Sequence, residues 1–177
     1  MIYVSAGHHT EKPGACFEGF CEHYEAMLWQ SAIANYLGHD GMVVPAGTLK
    51  EKVDFINSRP RHNDDVAIEI HFNSAMKDGA HVGKGSETLY YPESKRGELV
   101  AAHVQNSMSA LMTPDRGIKE GWYQMNKAKG PDFFLAKTVC TSIIIEPEFI
   151  HRKAKITGRR DKACALIAKA LLEIINT

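Results

Sequence analysis

The sequence predicts a single α/β domain, a mostly parallel twisted sheet with helices on both faces, and three observations carry that reading. Short runs rich in Val and Ile stand at Ile2-Tyr3-Val4, Val66-Ala67-Ile68 and Ile143-Ile144-Ile145. Apolar runs of this kind mark strands buried on both faces. Segments of helical periodicity lie between them, and alternation of strand and helix argues for a sheet covered on both sides. The chain of 177 residues is long enough for one domain whose core needs no disulfide staples.

A strand at about 2–6 opens the chain and leads into a Gly/Pro loop. A helix follows at about 22–38, with Met27, Ile33 and Leu37 on its apolar stripe. Met42-Val43-Val44 reads as a short strand. Residues 48–58 form an amphipathic helix carrying Leu49, Val53 and Ile56. The strand at 66–72 precedes a glycine-rich loop from Lys77 to Gly85. Ser86 to Tyr91 alternates polar and apolar residues, as a half-exposed edge strand does. Residues 94–111 are helical, and 113–135 are irregular. A strand at 142–146 and a helix at about 159–175 close the domain. In that last helix Leu166, Ile167, Ala170, Leu171 and Ile174 recur at helical spacing.

Lys plus Arg and Asp plus Glu are 21 each, so the formal net charge is zero. No dense basic run points to nucleic acid or to a lipid surface. No apolar stretch approaches the ~18 residues of a membrane span, and the N-terminus lacks the pattern of a signal peptide. The cysteines Cys16, Cys21, Cys140 and Cys164 match neither a CxxC nor a zinc-knuckle spacing. They are expected to be reduced thiols of a chain made in the cytoplasm, with Cys164 in the core. Cys16 and Cys21 share a loop in which they could approach each other.

The chemistry-bearing residues stand where strands end. His8 follows the first strand after Gly7, a residue that lets the backbone turn sharply. His71 ends the second strand, and a period of two puts it on one face with Ala67 and Glu69. A carboxylate inside so apolar a strand needs a partner. The far nitrogen of His71 is one, in the manner of carboxylate–histidine–metal relays; a lysine or arginine is the other. Glu146 ends the third strand, where burial raises a carboxyl toward the range of general acid–base work. Glu148 follows after Pro147. Ligands bind at the carboxyl ends of such strands, and two histidines with a glutamate at one sheet edge suit a zinc hydrolase. Catalytic zinc takes three protein ligands. Glu18, Glu22, His23 and Glu25 are the candidates for the third, and spacing does not choose among them.

Six segments in order extend this reading: Ala6-Gly7-His8, Pro13-Gly14-Ala15, Gly19-Phe20-Cys21-Glu22, Ile70-His71-Phe72-Asn73, Gly85-Ser86-Glu87-Thr88-Leu89-Tyr90-Tyr91 and Ile144-Ile145-Glu146-Pro147-Glu148-Phe149-Ile150. Together they span nearly the whole chain and resemble the zinc-dependent N-acetylmuramoyl-L-alanine amidases of the Amidase_3 type. The resemblance implies a mixed sheet of about six strands, like that of zinc exopeptidases and amidases. It implies one zinc ion per chain on His8, Glu22 and His71, with Glu25 the runner-up for the middle position, and Glu146 as the catalytic carboxylate. Glu87 is read as structural or substrate-facing, and Glu69, Asn73 and Glu148 as supporting or substrate groups. Two positions depart from the family pattern: Glu69 stands where a small residue is common, and Glu148 where glycine is frequent.

The activity so implied is hydrolysis of the amide between N-acetylmuramic acid and L-alanine in peptidoglycan. Trp122 and Tyr123 are the expected glycan or peptide contacts, whereas Phe133-Phe134 suit the core better. The chain is expected to be one catalytic domain over residues 1–177 without a wall-binding domain, and a monomer with no nucleic-acid or membrane partner. Such a protein acts on the wall after release from the cytoplasm, as a phage endolysin does, or on cytoplasmic muropeptides. Two other classes fit part of the pattern. A zinc carboxypeptidase or aminopeptidase would call on Arg59, Arg61 or Arg116 for a substrate carboxylate. A non-catalytic wall-binding module would keep zinc in a closed site and need no further carboxylate.

Overall fold

The computed structural model describes residues 1–123 and 126–176. In chain order its elements are β1 (Ile2–Ala6), β2 (Cys16–Phe17), β3 (Phe20–Cys21), α1 (Glu22–Leu37), β4 (Gly41–Val43), α2 (Leu49–Asn57), β5 (Val66–Ile70), β6 (Met76–Lys77), β7 (Ala80–His81), β8 (Ser86–Tyr90), α3 (Lys95–Ser109), β9 (Asp115–Glu120), α4 (Phe133–Lys137), β10 (Thr141–Glu146) and α5 (Lys153–Ile175). Six strands form the central sheet in the order β4-β1-β5-β10-β8-β9, and β2–β3 and β6–β7 are separate hairpins. Neighbouring strands from β4 to β10 run parallel, β8 pairs antiparallel with β10, and β9 runs parallel to β8.

The register explains why the central strands are apolar throughout. Val4 is level with Ile68 and Ile68 with Ile143; Ala6 is level with Ile70 and Ile70 with Ile145. These residues face α1, α3 and α5, where Trp29, Ile33, Val104, Met108, Cys164 and Ile167 close the larger core. Tyr3, Ala67, Leu89 and Ile144 face the other way, onto Val53 and Ile56 of α2 and Phe134 and Leu135 of α4. Burying a side chain of this size contributes about 1.5–3 kcal/mol, so a one-residue slip would forfeit both layers. The α2 helix starts at a capping box, in which the Thr48 hydroxyl accepts from the Glu51 N–H and Glu51 reaches back to the Thr48 N–H.

Several sequence expectations need correction. Ser86 to Tyr91 is not a half-exposed edge. Ser86, Glu87, Thr88 and Leu89 are buried, because β9 covers the strand's outer side. Its polar residues are satisfied within the protein; the Thr88 hydroxyl, for example, donates to Gln105 Oε1 at 2.8 Å. The strand that does form the edge, Asp-Arg-Gly-Ile-Lys-Glu, lies in the segment expected to be irregular, and a single apolar residue gave it no strand signal. The last helix begins at Lys153 rather than near 159, since its first turns bury Ile156 but otherwise carry few apolar residues. On α1, Met27 is 38% exposed, and Trp29 takes the buried position.

The cysteines also depart from expectation. Cys16 and Cys21 are joined by a disulfide, with Cα atoms 4.1 Å apart. They face each other across the β2–β3 hairpin, whose turn at Glu18 and Gly19 has positive φ at both residues, the conformation of tight hairpin turns. Only Cys140 and Cys164 are free, and Cys164 is in the core.

Candidate metal centre

The carboxyl ends of β1, β5 and β10 meet at one edge of the sheet. The His71 N–H donates to the Ile145 carbonyl (2.9 Å) and the Gly7 N–H to the Ile70 carbonyl (2.8 Å). The residues just beyond the three strands are thereby brought side by side. Gly7 is needed for close approach: a Cβ there would stand 2.7 Å from the His71 ring and from the Ile70 carbonyl oxygen. The sharp turn itself falls one residue later, at His8, whose φ is 59°.

Glu22 arrives from the opposite side as the first residue of α1, where the helix dipole favours a negative charge. The disulfide-closed hairpin immediately before it sets its direction. Its Oε2 lies 3.1 Å from His8 Nε2 and its Oε1 2.9 Å from His71 Nδ1. The Ala15 and Phe72 N–H groups donate to the same two oxygens at 3.1 and 3.0 Å. Gly14 in the preceding loop leaves room for this; a Cβ there would stand 2.5 Å from the His8 ring and 2.6 Å from Glu22 Oε2. Burial would push the Glu22 carboxyl up, but the two imidazoles more than reverse this and hold it far below the usual carboxylate range. Burial likewise opposes charge on His71, and Glu22 and Glu69 overcome it, so that imidazole stays protonated well above its ordinary value.

Ligand atoms of His8, Glu22 and His71 all lie within 4.8 Å of one another. Two imidazoles and a carboxylate converging in this way form a donor set that could hold a metal ion. The far nitrogen of His71, Nε2, lies 3.0 Å from Glu69 Oε2. The two partners considered for Glu69 are both present, since Lys52 Nζ lies 3.6 Å from its Oε1. Glu25, also buried, is held by Arg160 of α5 (2.8 Å) and by the indole N–H of Trp29 on its own helix (3.0 Å). Glu18 pairs with Lys153 on the surface. His23 Nδ1–H donates to the Gly7 carbonyl at 2.8 Å and so supports the loop.

Glu146 is half-buried beside this cluster. Among the described residues no hydrogen bond holds its carboxyl. Burial, reinforced by the charges of Glu87 and Glu22 and opposed by His71 and Arg116, pushes it up to about 7. Glu87 stands directly opposite on β8 and is differently placed. Arg116 (2.9 Å), Lys119 and Asn73 (2.8 Å) surround it, and they outweigh burial to keep its carboxyl low. Glu148 is fully buried. The Gly85 N–H (2.6 Å), Lys155 (2.8 Å) and Arg152 (3.4 Å) hold it.

A cleft of about 510 Å³ opens beside His8 and His71, lined also by Lys52, Glu69, Tyr123 and Asp132 among others. Tyr123 is 48% exposed there, whereas the Trp122 indole is tied to Glu120 at 3.0 Å. The Phe pair divides: Phe134 is fully buried and Phe133 is 39% exposed. Sequence reasoning passed over Lys52 and Asp132. Lys52 had a signal, because it lies on the Leu49-Val53-Ile56 stripe of α2, where a charge must find buried partners. Burial lowers its ammonium even though Glu69 opposes the shift. Asp132 had no such signal; it caps α4 through the Phe134 N–H, and burial and Glu69 raise its carboxyl.

Fold and cluster together are those of an α/β domain with a site suited to a metal ion. The chain matches the Amidase_3 family, N-acetylmuramoyl-L-alanine amidase, over residues 2–177, and it belongs to that family. Among solved structures it is similar to an N-acetylmuramoyl-L-alanine amidase from Clostridium difficile 630, with a TM-score of 0.79 and 21% identity, covering 99% of this chain and 96% of that one. It is also similar to the catalytic domain of the CD27L endolysin targeting Clostridia Difficile, with a TM-score of 0.73 and 22% identity, covering 97% and 96%. A curated relative is the uncharacterized protein YqiI of Bacillus subtilis (strain 168), 28% identical over 129 residues, which are 67% of this chain. The chain spans little more than half the length of the curated relatives it matches, 59% of one and 51% of another. Among the described residues no helix is long and apolar enough to cross a membrane.

Proposed function

We propose that this chain is the catalytic domain of a zinc-dependent amidase that cleaves peptidoglycan between N-acetylmuramic acid and L-alanine. The observation that carries the reading is the placement of His8 and His71 on the two oxygens of Glu22, with the unbonded carboxyl of Glu146 alongside. Family membership supplies the substrate class. His8, Glu22 and His71 would hold one zinc ion, and Glu69 would brace His71 from behind. That ion would supply Lewis-acid chemistry for the scissile carbonyl and for activation of water.

Glu146 does the proton work. Its carboxylate accepts the proton of the attacking water and passes it to the amine nitrogen of L-alanine as that bond breaks. A carboxyl near 7 is suited to both halves of the task at neutral pH. The open cleft takes the glycan and stem peptide, with Tyr123 as a contact surface. The protein acts as a monomer on the wall after release from the cell, or on muropeptides within it.

The test is digestion of isolated peptidoglycan with and without a chelator, followed by mass spectrometry of the fragments. Stem peptides beginning in L-alanine, lost on chelation and restored by zinc, are the expected result. Cleavage within the stem peptide would replace this reading with a peptidase, and intact peptidoglycan in the presence of zinc would overturn it.

A further inference from the structure

Lys52 is a buried cation that the proposed chemistry leaves without a task. It is 3% exposed on the cleft-facing side of α2. Its ammonium has three donors and three acceptors around it. The carbonyl of Ala6, the last residue of β1, takes one; the carbonyl of His8 takes the second at 2.5 Å; Glu69 Oε1 stands 3.6 Å away as an ion-pair partner. The two carbonyls flank the turn in which His8 adopts φ 59°, a left-handed conformation that a non-glycine residue keeps only where its surroundings hold it. The other oxygen of Glu69 lies 3.0 Å from His71 Nε2. One ammonium therefore touches the backbone of one histidine of the triad and, through a single carboxylate, the ring of the other.

We propose that Lys52 is a positioning residue for the metal: it clamps the turn that aims His8 and, through Glu69, orients His71, so that both rings converge on Glu22. This rests on the reading of His8, Glu22 and His71 as metal ligands. A simple structural ion pair would need Glu69 alone and would leave donors for solvent or substrate. Here two donors go to the carbonyls on either side of the turn, those of Ala6 and His8, in addition to the ion pair with Glu69.

The test compares wild type with Lys52→Met and with Lys52→Met/Glu69→Gln, which removes both buried charges and so guards against misfolding of the single variant. Zinc affinity is measured by competition with a chromophoric chelator, and cobalt(II)-loaded samples are compared by visible absorption. Circular dichroism confirms the fold of the metal-free proteins. The expected result is a 10- to 100-fold loss of zinc affinity, the effect usual for groups that orient a ligand, with an altered cobalt spectrum in both variants. Lys52→Arg is expected to recover part of the affinity. Wild-type affinity and an unchanged spectrum in a folded variant would overturn the clamp alone. Failure of the wild type to bind zinc would overturn the ligand reading and the clamp with it.

Discussion

Two buried carboxylates stand at the same edge of the sheet in different company. Glu22 sits between two imidazoles, groups that can give up their protons. Glu87 sits among Arg116, Lys119 and Asn73, two of which are permanent cations at neutral pH. Both carboxyls are held below their ordinary range, so neither burial nor ionisation separates them. The partners do. A metal can replace the protons of the imidazoles around Glu22, and no metal can displace the charge of a guanidinium. Glu146 makes no hydrogen bond to either kind of group among the described residues, and burial pushes its carboxyl up to about 7 although His71 and Arg116 oppose the shift.

The largest effects should fall on the imidazole side. Glu22→Gln is expected to lose more zinc affinity than the roughly 100-fold associated with an outer supporting group, and to lose turnover with it; metal analysis after dialysis checks this. Glu87→Gln should keep zinc at wild-type affinity. Equal zinc loss in the two variants would erase the distinction drawn between them.

Glu146→Gln comes next. It should retain zinc yet lower kcat by about 10²–10⁴-fold, the range for a general acid–base group; turnover within a few-fold of wild type would remove Glu146 from the mechanism. The same variant carries a stability signature. A carboxyl whose folded value is about 7, against an ordinary 4.5, binds its proton more tightly when the chain is folded. Its contribution is therefore lost as pH rises from about 4.5 through about 7. In the metal-free protein Glu146→Gln should be more stable than wild type above pH 7, by about 3 kcal/mol, and of similar stability at pH 4. Thermal unfolding across that range measures the difference, and a gap independent of pH would contradict it.

Glu87→Gln should cost about 1–3 kcal/mol of stability, since it weakens the partner of two charged groups, and chemical denaturation reads that loss. The smallest effect concerns the hairpin ahead of Glu22. Opening the Cys16–Cys21 bond releases a short loop, and loop-closure entropy puts the loss at about 2 kcal/mol or less. Unfolding with and without reductant measures it.

The parallel half of the sheet was readable because its strands are buried on both faces and so are apolar at nearly every position. Their ends placed His8, His71 and Glu146 at one edge before any coordinates were needed. The antiparallel half carries little strand signal for the converse reason. β8 buries Glu87 and Thr88 because other side chains satisfy them, and β9 has almost no apolar signal. The pairing of Cys16 with Cys21 depends on a hairpin turn at Glu18-Gly19, which the loop sequence does not signal. The choice between Glu22 and Glu25 could not be made from spacing, because both lie in the first turn of one helix. What separates them is the neighbour each side chain meets, the imidazoles for one and Arg160 for the other.

The most direct measurement is a zinc titration of the chelator-stripped protein with peptidoglycan hydrolysis followed at each step. Activity should rise to a break at one equivalent of zinc per chain, and Glu22→Gln should give a flat, inactive line. Full hydrolysis in the stripped protein, or a Glu22→Gln titration that matches wild type, would contradict the proposed zinc site.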